Sequence, residues 1–204
     1  MREIVLDTET TGFDPEDGHR IVEIGCVEII NQIPTGNVFH QYIHPDRDMP
    51  VEAYDVHGIS EEFLADKPRF AEVVKDFADF VGTDKLVIHN AEFDMRFLNW
   101  ELKTCGFPIL PDHQAVCTLK IARKKFPGSP ASLDALCRRF EIDNSNRTFH
   151  GALLDHAYEA ERTWVPRRAS RGRCLRARRS DTARAAPAEA TRVGLLKPER
   201  WRRY

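Results

Sequence analysis

The sequence predicts an α/β domain with a central mixed sheet flanked by helices, and three observations lead there. Short apolar runs joined by short loops fill residues 2–45, apolar residues at helical spacing take over from residue 68, and one more short apolar run, "KLVIHN", stands between two helical stretches. Consecutive short strands favour an antiparallel meander, whereas strands separated by helices favour parallel crossovers, so both pairings belong in one sheet.

Taken in order, "REIVLDTE" reads as a first strand and "RIVEIGCVEII" as a second, with Val22, Ile24 and Cys26 or their alternates buried on one face. "NVFHQYIHP" supplies a third, and Pro34-Thr35-Gly36 before it has the chemistry of a turn. "PRFAEVVKDFADFVG" places Phe70, Val73, Val74, Phe77 and Val81 on one helical face, opens with Pro68 and stops at Gly82. "KLVIHN" is a buried strand whose Asn90 can cap the helix "AEFDMRFLNWELKTCG". "AVCTLKIARKKF" then completes a parallel crossover unit, and "SLDALCRRF" and "GALLDHAYEAERTW" are further helices.

A chain of 204 residues, 42% hydrophobic and 30% charged, is expected to be soluble and globular, with no run long enough to span a membrane. The first strand starts at once, leaving no room for a signal peptide, and five scattered cysteines without C-x-x-C spacing fit reduced thiols, so a cytoplasmic location is expected. The net charge of -2 conceals an asymmetry: up to Trp164 there are 17 Lys plus Arg against 29 Asp plus Glu, whereas 165–204 holds 13 against 3. Two domains of unlike chemistry follow, 1–164 and an Arg/Ala-rich tail over 165–204 whose composition predicts disorder.

The acids carry the functional signal. Asp7 and Glu9, two apart on a strand, stand side by side, and like charges that close call for an Arg or Lys, a shared proton or a divalent metal between them. Asp94 lies about one turn into its helix, beside an apolar pair, Phe93 and Phe97. Asp155 follows His150 by five residues, about 140° apart on a continuous helix, so for both to face one site His150 must sit on a loop that Gly151 could break. Four acids and one histidine suit metal-assisted phosphodiester hydrolysis. Two divalent ions about 4 Å apart stabilise the attacking and leaving oxygens, and a histidine titrating near neutrality takes the proton of the attacking water.

"LDTETTG", "HNAEFDMRF" and "HGALLD", in that order, resemble the three exonuclease motifs of the DEDD superfamily, in the branch whose third motif supplies histidine. The likeness is closer still to the proofreading (ε) subunits of bacterial DNA polymerase III, which "VHGIS", "ARKKFPG" and "SLDALCRRFEIDNSNRTFHGALLD" also resemble, so that it runs from Arg2 to Asp155. It implies a ribonuclease H-like exonuclease fold and a 3′→5′ exonuclease that releases nucleoside monophosphates from DNA 3′ ends. By position it implies that Asp7 bridges two Mg²⁺ or Mn²⁺ ions, that Glu9 and Asp155 complete the tighter one, that Asp94 helps hold the other and that His150 is general base. The segment matching "PVEAYDVHGIS" lines the 3′-nucleotide pocket in that family, so Glu52 and His57 join Asp7, Glu9 and Asp155 as implied substrate contacts. The implied partners are a single-stranded or frayed DNA 3′ end, the catalytic (α) subunit of polymerase III and a small θ-like subunit. His89, at the end of a strand beside Asn90, is open between a packing or neighbouring residue and a functional one, and His40 and His44 are expected at the surface.

The acidic balance up to Trp164 disfavours unaided DNA binding and favours an enzyme handed its 3′ end by a partner. After Asp155 the family pattern stops. The tail reads either as a shifted reading frame or lineage-specific replacement, or as a basic arm that grips DNA or an acidic partner. Two other functions remain open at this level: a stand-alone enzyme of the same superfamily that trims RNA ends or oligonucleotides, and a non-catalytic assembly module that keeps the fold.

Overall fold

The computed structural model describes residues 1–142, so His150, Asp155, the last expected helix and the 165–204 segment lie outside the described residues. β1 (Arg2–Thr10), β2 (Ile21–Ile30) and β3 (Ile33–Tyr42) form the expected antiparallel meander. α1 (Val51–His57), α2 (Glu61–Leu64) and α3 (Phe70–Val81) lead to β4 (Lys85–Ile88), and α4 (Ala91–Thr104) leads to β5 (Ala115–Cys117). α5 (Thr118–Lys125) and α6 (Leu133–Arg139) follow. The sheet order is β3-β2-β1-β4-β5, with β4 parallel to β1 and β5 parallel to β4, which makes it mixed as expected.

Three local expectations are corrected. The hairpin turn is Asn31-Gln32, both at positive φ (52° and 72°), rather than Pro34-Thr35-Gly36. A two-residue turn with both central residues left-handed matches the twist of its flanking strands, and Ile30 then pairs directly with Ile33. Thr35, Gly36 and Asn37 instead form a bulge opposite Glu28, with Gly36 at φ 88°. "AVCTLKIARKKF" divides into a three-residue strand and a helix. Asn90 occupies the N-cap position of α4 in a left-handed conformation, but its side chain makes no capping bond.

The main core lies between one sheet face and the helices α3 and α4. Phe70, Val73, Val74, Phe77 and Val81, the apolar stripe read from the sequence, all pack there with Ile4, Leu6, Ile24, Cys26, Leu86 and Ile88 from the strands. Each such aromatic or aliphatic side chain contributes about 1.5–3 kcal/mol by leaving water. A smaller cluster of Val5, Ile29 and Val87 lies on the opposite face. Because both faces are covered, Ile21 to Val27 are buried without a break and the expected one-face alternation of β2 is lost.

A bulge falls beside the acids. Glu9 pairs with Glu23 and Thr10 with Ile21, which leaves Val22 as the extra residue of β2. Val22 packs with Ile59, Leu64, Tyr42 and Met49, so the chain around α1 and α2 is anchored next to the end of β1 that carries Glu9. No helix among the described residues is long and apolar enough to cross a membrane.

Candidate active site

Asp7 and Glu9 are both half-buried and alternate with buried Thr8 and Thr10, the side-by-side arrangement that strand geometry requires. Across the parallel pair, β4 runs straight into α4, and Asp94 in the first turn of α4 is buried against β1. One Asp94 oxygen accepts from the Thr8 backbone N–H (3.1 Å) and from the Thr8 hydroxyl (2.9 Å). Thr8 is a site residue that sequence reading missed, because alternation assigns it to the face away from Asp7. Phe93 and Phe97 pack together at 5.1 Å between centroids and seat this turn of α4 as expected.

Burial pushes the Asp94 carboxyl up to about 7, against the opposing pull of the Thr8 hydrogen bonds and of an interaction with Asp7. Two carboxyls that meet in a dry place favour a proton or a cation between them. A hard divalent cation fits this chemistry, since oxygen donors are what it prefers. Among the described residues, however, no group of three or more such ligands converges on one point. Of the four expected ligands, Asp7, Glu9 and Asp94 are among the described residues, whereas Asp155 and the expected base His150 lie outside them.

The loop from Thr11 to Arg20 is strapped down by three arginines. Arg20 forms a forked pair with Glu101 of α4 (2.7 and 2.8 Å), and Glu101 is 1% exposed. Arg96, also on α4, donates to the Phe13 carbonyl (2.7 Å) and to Asp14 (3.0 Å), while Arg47 donates to the Gly18 carbonyl (2.8 Å). Phe13 is thereby held with its ring 82% exposed just beyond the acids. The His19 ring covers Gly12, and its Nδ1 meets the Thr11 hydroxyl (3.2 Å) and Arg47 (3.1 Å).

The remaining candidates are placed as follows. Glu52 is exposed in the first turn of α1. His57 is the last residue of α1 and is buried rather than on an open loop, with Nδ1 accepting from the Ile59 N–H (3.0 Å), which leaves the ring proton on Nε2. His89 bonds through Nδ1 to the Thr118 hydroxyl (3.0 Å), a second link between the ends of β4 and β5. His40 is corrected from a surface residue: its Nε2 lies 2.6 Å from Glu23, itself 3% exposed and paired across the sheet with Glu9. His44, also expected at the surface, is half-buried and accepts from the Asp46 N–H (3.1 Å). Strand register, which the sequence alone did not supply, is the signal that would have found Glu23 and His40.

The exonuclease family (RNase_T) matches residues 4–161. The chain belongs to that family. DNA polymerase III subunit epsilon of Rickettsia felis is 56% identical over 164 residues, 79% of this chain and 72% of the relative. The protein of the same name from Escherichia coli (strain K12) is 52% identical over 168 residues, 78% of this chain and 69% of the relative. Among solved structures, exonuclease X in complex with 5′ overhanging duplex DNA aligns with a TM-score of 0.65 at 29% identity, covering 82% of this chain and 92% of that one. The mixed five-stranded sheet with its flanking helices is thus the ribonuclease H-like exonuclease fold, and the family implies divalent metal ions. His150 and Asp155 fall inside the span the exonuclease family matches.

Proposed function

We propose that this exonuclease removes nucleoside monophosphates from DNA 3′ ends as the proofreading subunit of a bacterial DNA polymerase III, in the cytoplasm. The observation that carries the reading is the meeting of Asp7 and Asp94, brought from separate motifs to the carboxyl ends of adjacent parallel strands. Open α/β sheets bind their ligands at that edge. Relatives 52–56% identical that bear the epsilon name support the polymerase association and the DNA substrate.

In this reading Asp7, Glu9, Asp94 and Asp155 would hold two divalent ions, Mg²⁺ or Mn²⁺. When bound, such ions supply electrophilic stabilisation of the charge that develops on the phosphoryl oxygens. The chain's own contributions are rigidity and proton transfer. β1 fixes Asp7 and Glu9, Thr8 fixes Asp94 with two hydrogen bonds, and His150 accepts the proton of the attacking water. In this reading Glu52 and His57 contact the 3′ nucleotide, and the packing of Ile59 with Val22, next to Glu9, supports it. The polymerase α subunit presents the frayed primer terminus, and a small θ-like subunit completes the assembly.

The test is release of 5′-monophosphates from a 3′-mismatched DNA primer and from a matched RNA primer, with Mn²⁺, Mg²⁺ or chelator, by the chain and its Asp7→Ala and Asp155→Ala variants. The expected result is metal-dependent release from DNA that falls by about 10³-fold in either variant, roughly 4 kcal/mol of lost transition-state stabilisation. Unchanged turnover in the variants refutes the site, and preference for RNA refutes the proofreading assignment.

A further inference from the structure

We propose that Lys120, Arg123, Lys124, Arg138 and Arg139 form a track for the phosphodiester backbone of the strand whose 3′ end enters the site, a few nucleotides behind that end. The inference rests on the exonuclease reading and adds to it a surface that holds the substrate. It starts from an uneven distribution of charge. Residues 1–117 contain 9 basic and 23 acidic side chains, but residues 118–140 contain 6 basic and 1 acidic. The acidity of the catalytic region therefore does not extend to α5 and α6.

The basic side chains of the two parts also differ in what they do. In the first part Arg2, Arg20, Lys67, Arg69, Lys75 and Arg96 each pair with a carboxylate, and Arg47 and Lys85 donate to backbone carbonyls. In the second, Lys120, Arg123, Lys124 and Arg138 are exposed and make no ion pair among the described residues. Arg139 lies over the Phe126 ring at 4.4 Å, and Phe126 meets Phe140 edge-on at 6.0 Å, so one guanidinium is backed by an aromatic pair instead of an acid. Cations without carboxylate partners among the described residues concentrate positive potential at one place, which attracts a polyanion.

Helix geometry aligns them. Lys120, Arg123 and Lys124 occupy i, i+3 and i+4 on α5 and share one face, opposite the buried Thr118 and Ala122. Topology places them close to the acids. β1, β4 and β5 are neighbouring and parallel, so their carboxyl ends share one sheet edge, where Glu9 lies near the end of β1, α4 starts after β4 and α5 starts directly after β5. Two strand spacings separate β1 from β5, about 10 Å, and α5 extends about 12 Å further. At about 3.4 Å per nucleotide, the track covers roughly the third to sixth nucleotides from the 3′ end. The occupant is a nucleic-acid strand because charge, distance and the polymeric substrate of the same site agree.

The experiment compares the full chain with its K120E/R123E/K124E variant and with the neutral K120Q/R123Q/K124Q variant. One measurement is kcat/KM on DNA oligonucleotides of 2 to 12 nucleotides and on the p-nitrophenyl ester of thymidine 5′-phosphate. The other is fluorescence anisotropy of the same oligonucleotides in chelator. The expected result is that the variants keep wild-type kcat/KM on the ester and the dinucleotide, while KM and Kd for the 12-mer rise about tenfold. The slope of log K against log salt should flatten by roughly 2 for three lost phosphate contacts at about 0.7 each. An unchanged length dependence and salt slope in both variants overturns the proposal. If the wild type leaves the ester and every 3′ end intact, the exonuclease reading fails by itself, and anisotropy still decides whether the track binds DNA.

Discussion

Gly12 lies in the 11–20 loop directly under the His19 ring, with no room for a side chain. A Cβ placed on Gly12 would run into Cε1 and Nδ1 of His19, with Nε2 at 2.5 Å, so the imidazole has to swing away in Gly12→Ala. That movement gives up the contacts of Nδ1 with the Thr11 hydroxyl and with Arg47. At about 1 kcal/mol each, plus some loosening of the loop, the expected cost is about 1–3 kcal/mol. The cause is steric, so it should disappear when the obstacle is removed: in a His19→Ala background, Gly12→Ala should cost under about 0.5 kcal/mol. Urea midpoints of the wild type, both single variants and the double variant form the required cycle. Equal cost of Gly12→Ala with and without His19 would show that backbone conformation, not the ring, makes glycine necessary there. The same loop carries the Phe13 carbonyl and Asp14 held by Arg96, so KM on a DNA 3′ end should rise in Gly12→Ala more than kcat falls.

Three further outcomes are expected. Glu101→Ala leaves the forked Arg20 guanidinium without its buried partner; because Arg20 is 29% exposed, the cost should be about 2–3 kcal/mol, less than for a fully buried pair, measured by urea unfolding. Arg2, then Thr35, hold the Glu28 carboxyl below the usual carboxylate range. A depressed folded value means that this stabilisation is present above the unfolded pKa and lost as pH falls through the folded one, so the gap in urea midpoint between wild type and Glu28→Gln should close between about pH 5 and 3. Burial pushes the Cys26 thiol well up, so iodoacetamide should label Cys26 only after unfolding; mass spectrometry of labelled peptides from the native chain would expose any error.

How far the fold and the site could be read from sequence depended on the range of the forces involved. The stripe on α3 is a local matter: five apolar residues at helical spacing bury the same way wherever the helix lands, and all five are in the core. The meander was legible for the same reason, since short loops between strands leave only neighbouring pairings. The hairpin turn was misplaced because Pro-Thr-Gly has stronger turn composition than Asn-Gln. Composition does not register the strand twist, which made a left-handed pair at Asn31 and Gln32 the better closure. His40 was misread because its partner Glu23 lies on another strand, and only register brings the two together.

The sequence by itself determined the family, the carboxylates of β1 and the asymmetry of charge, because these depend on residue identity and on spacing along the chain. Tertiary structure alone decided which groups meet. It brought Asp94 to Thr8 and Asp7, put the Val22 bulge beside Glu9, and used most of the arginines and lysines up to residue 117 on internal partners while leaving Lys120, Arg123, Lys124, Arg138 and Arg139 exposed. Contacts between residues some ninety positions apart are set by sheet order and helix packing. Those are properties of the whole fold that no local stretch of sequence encodes.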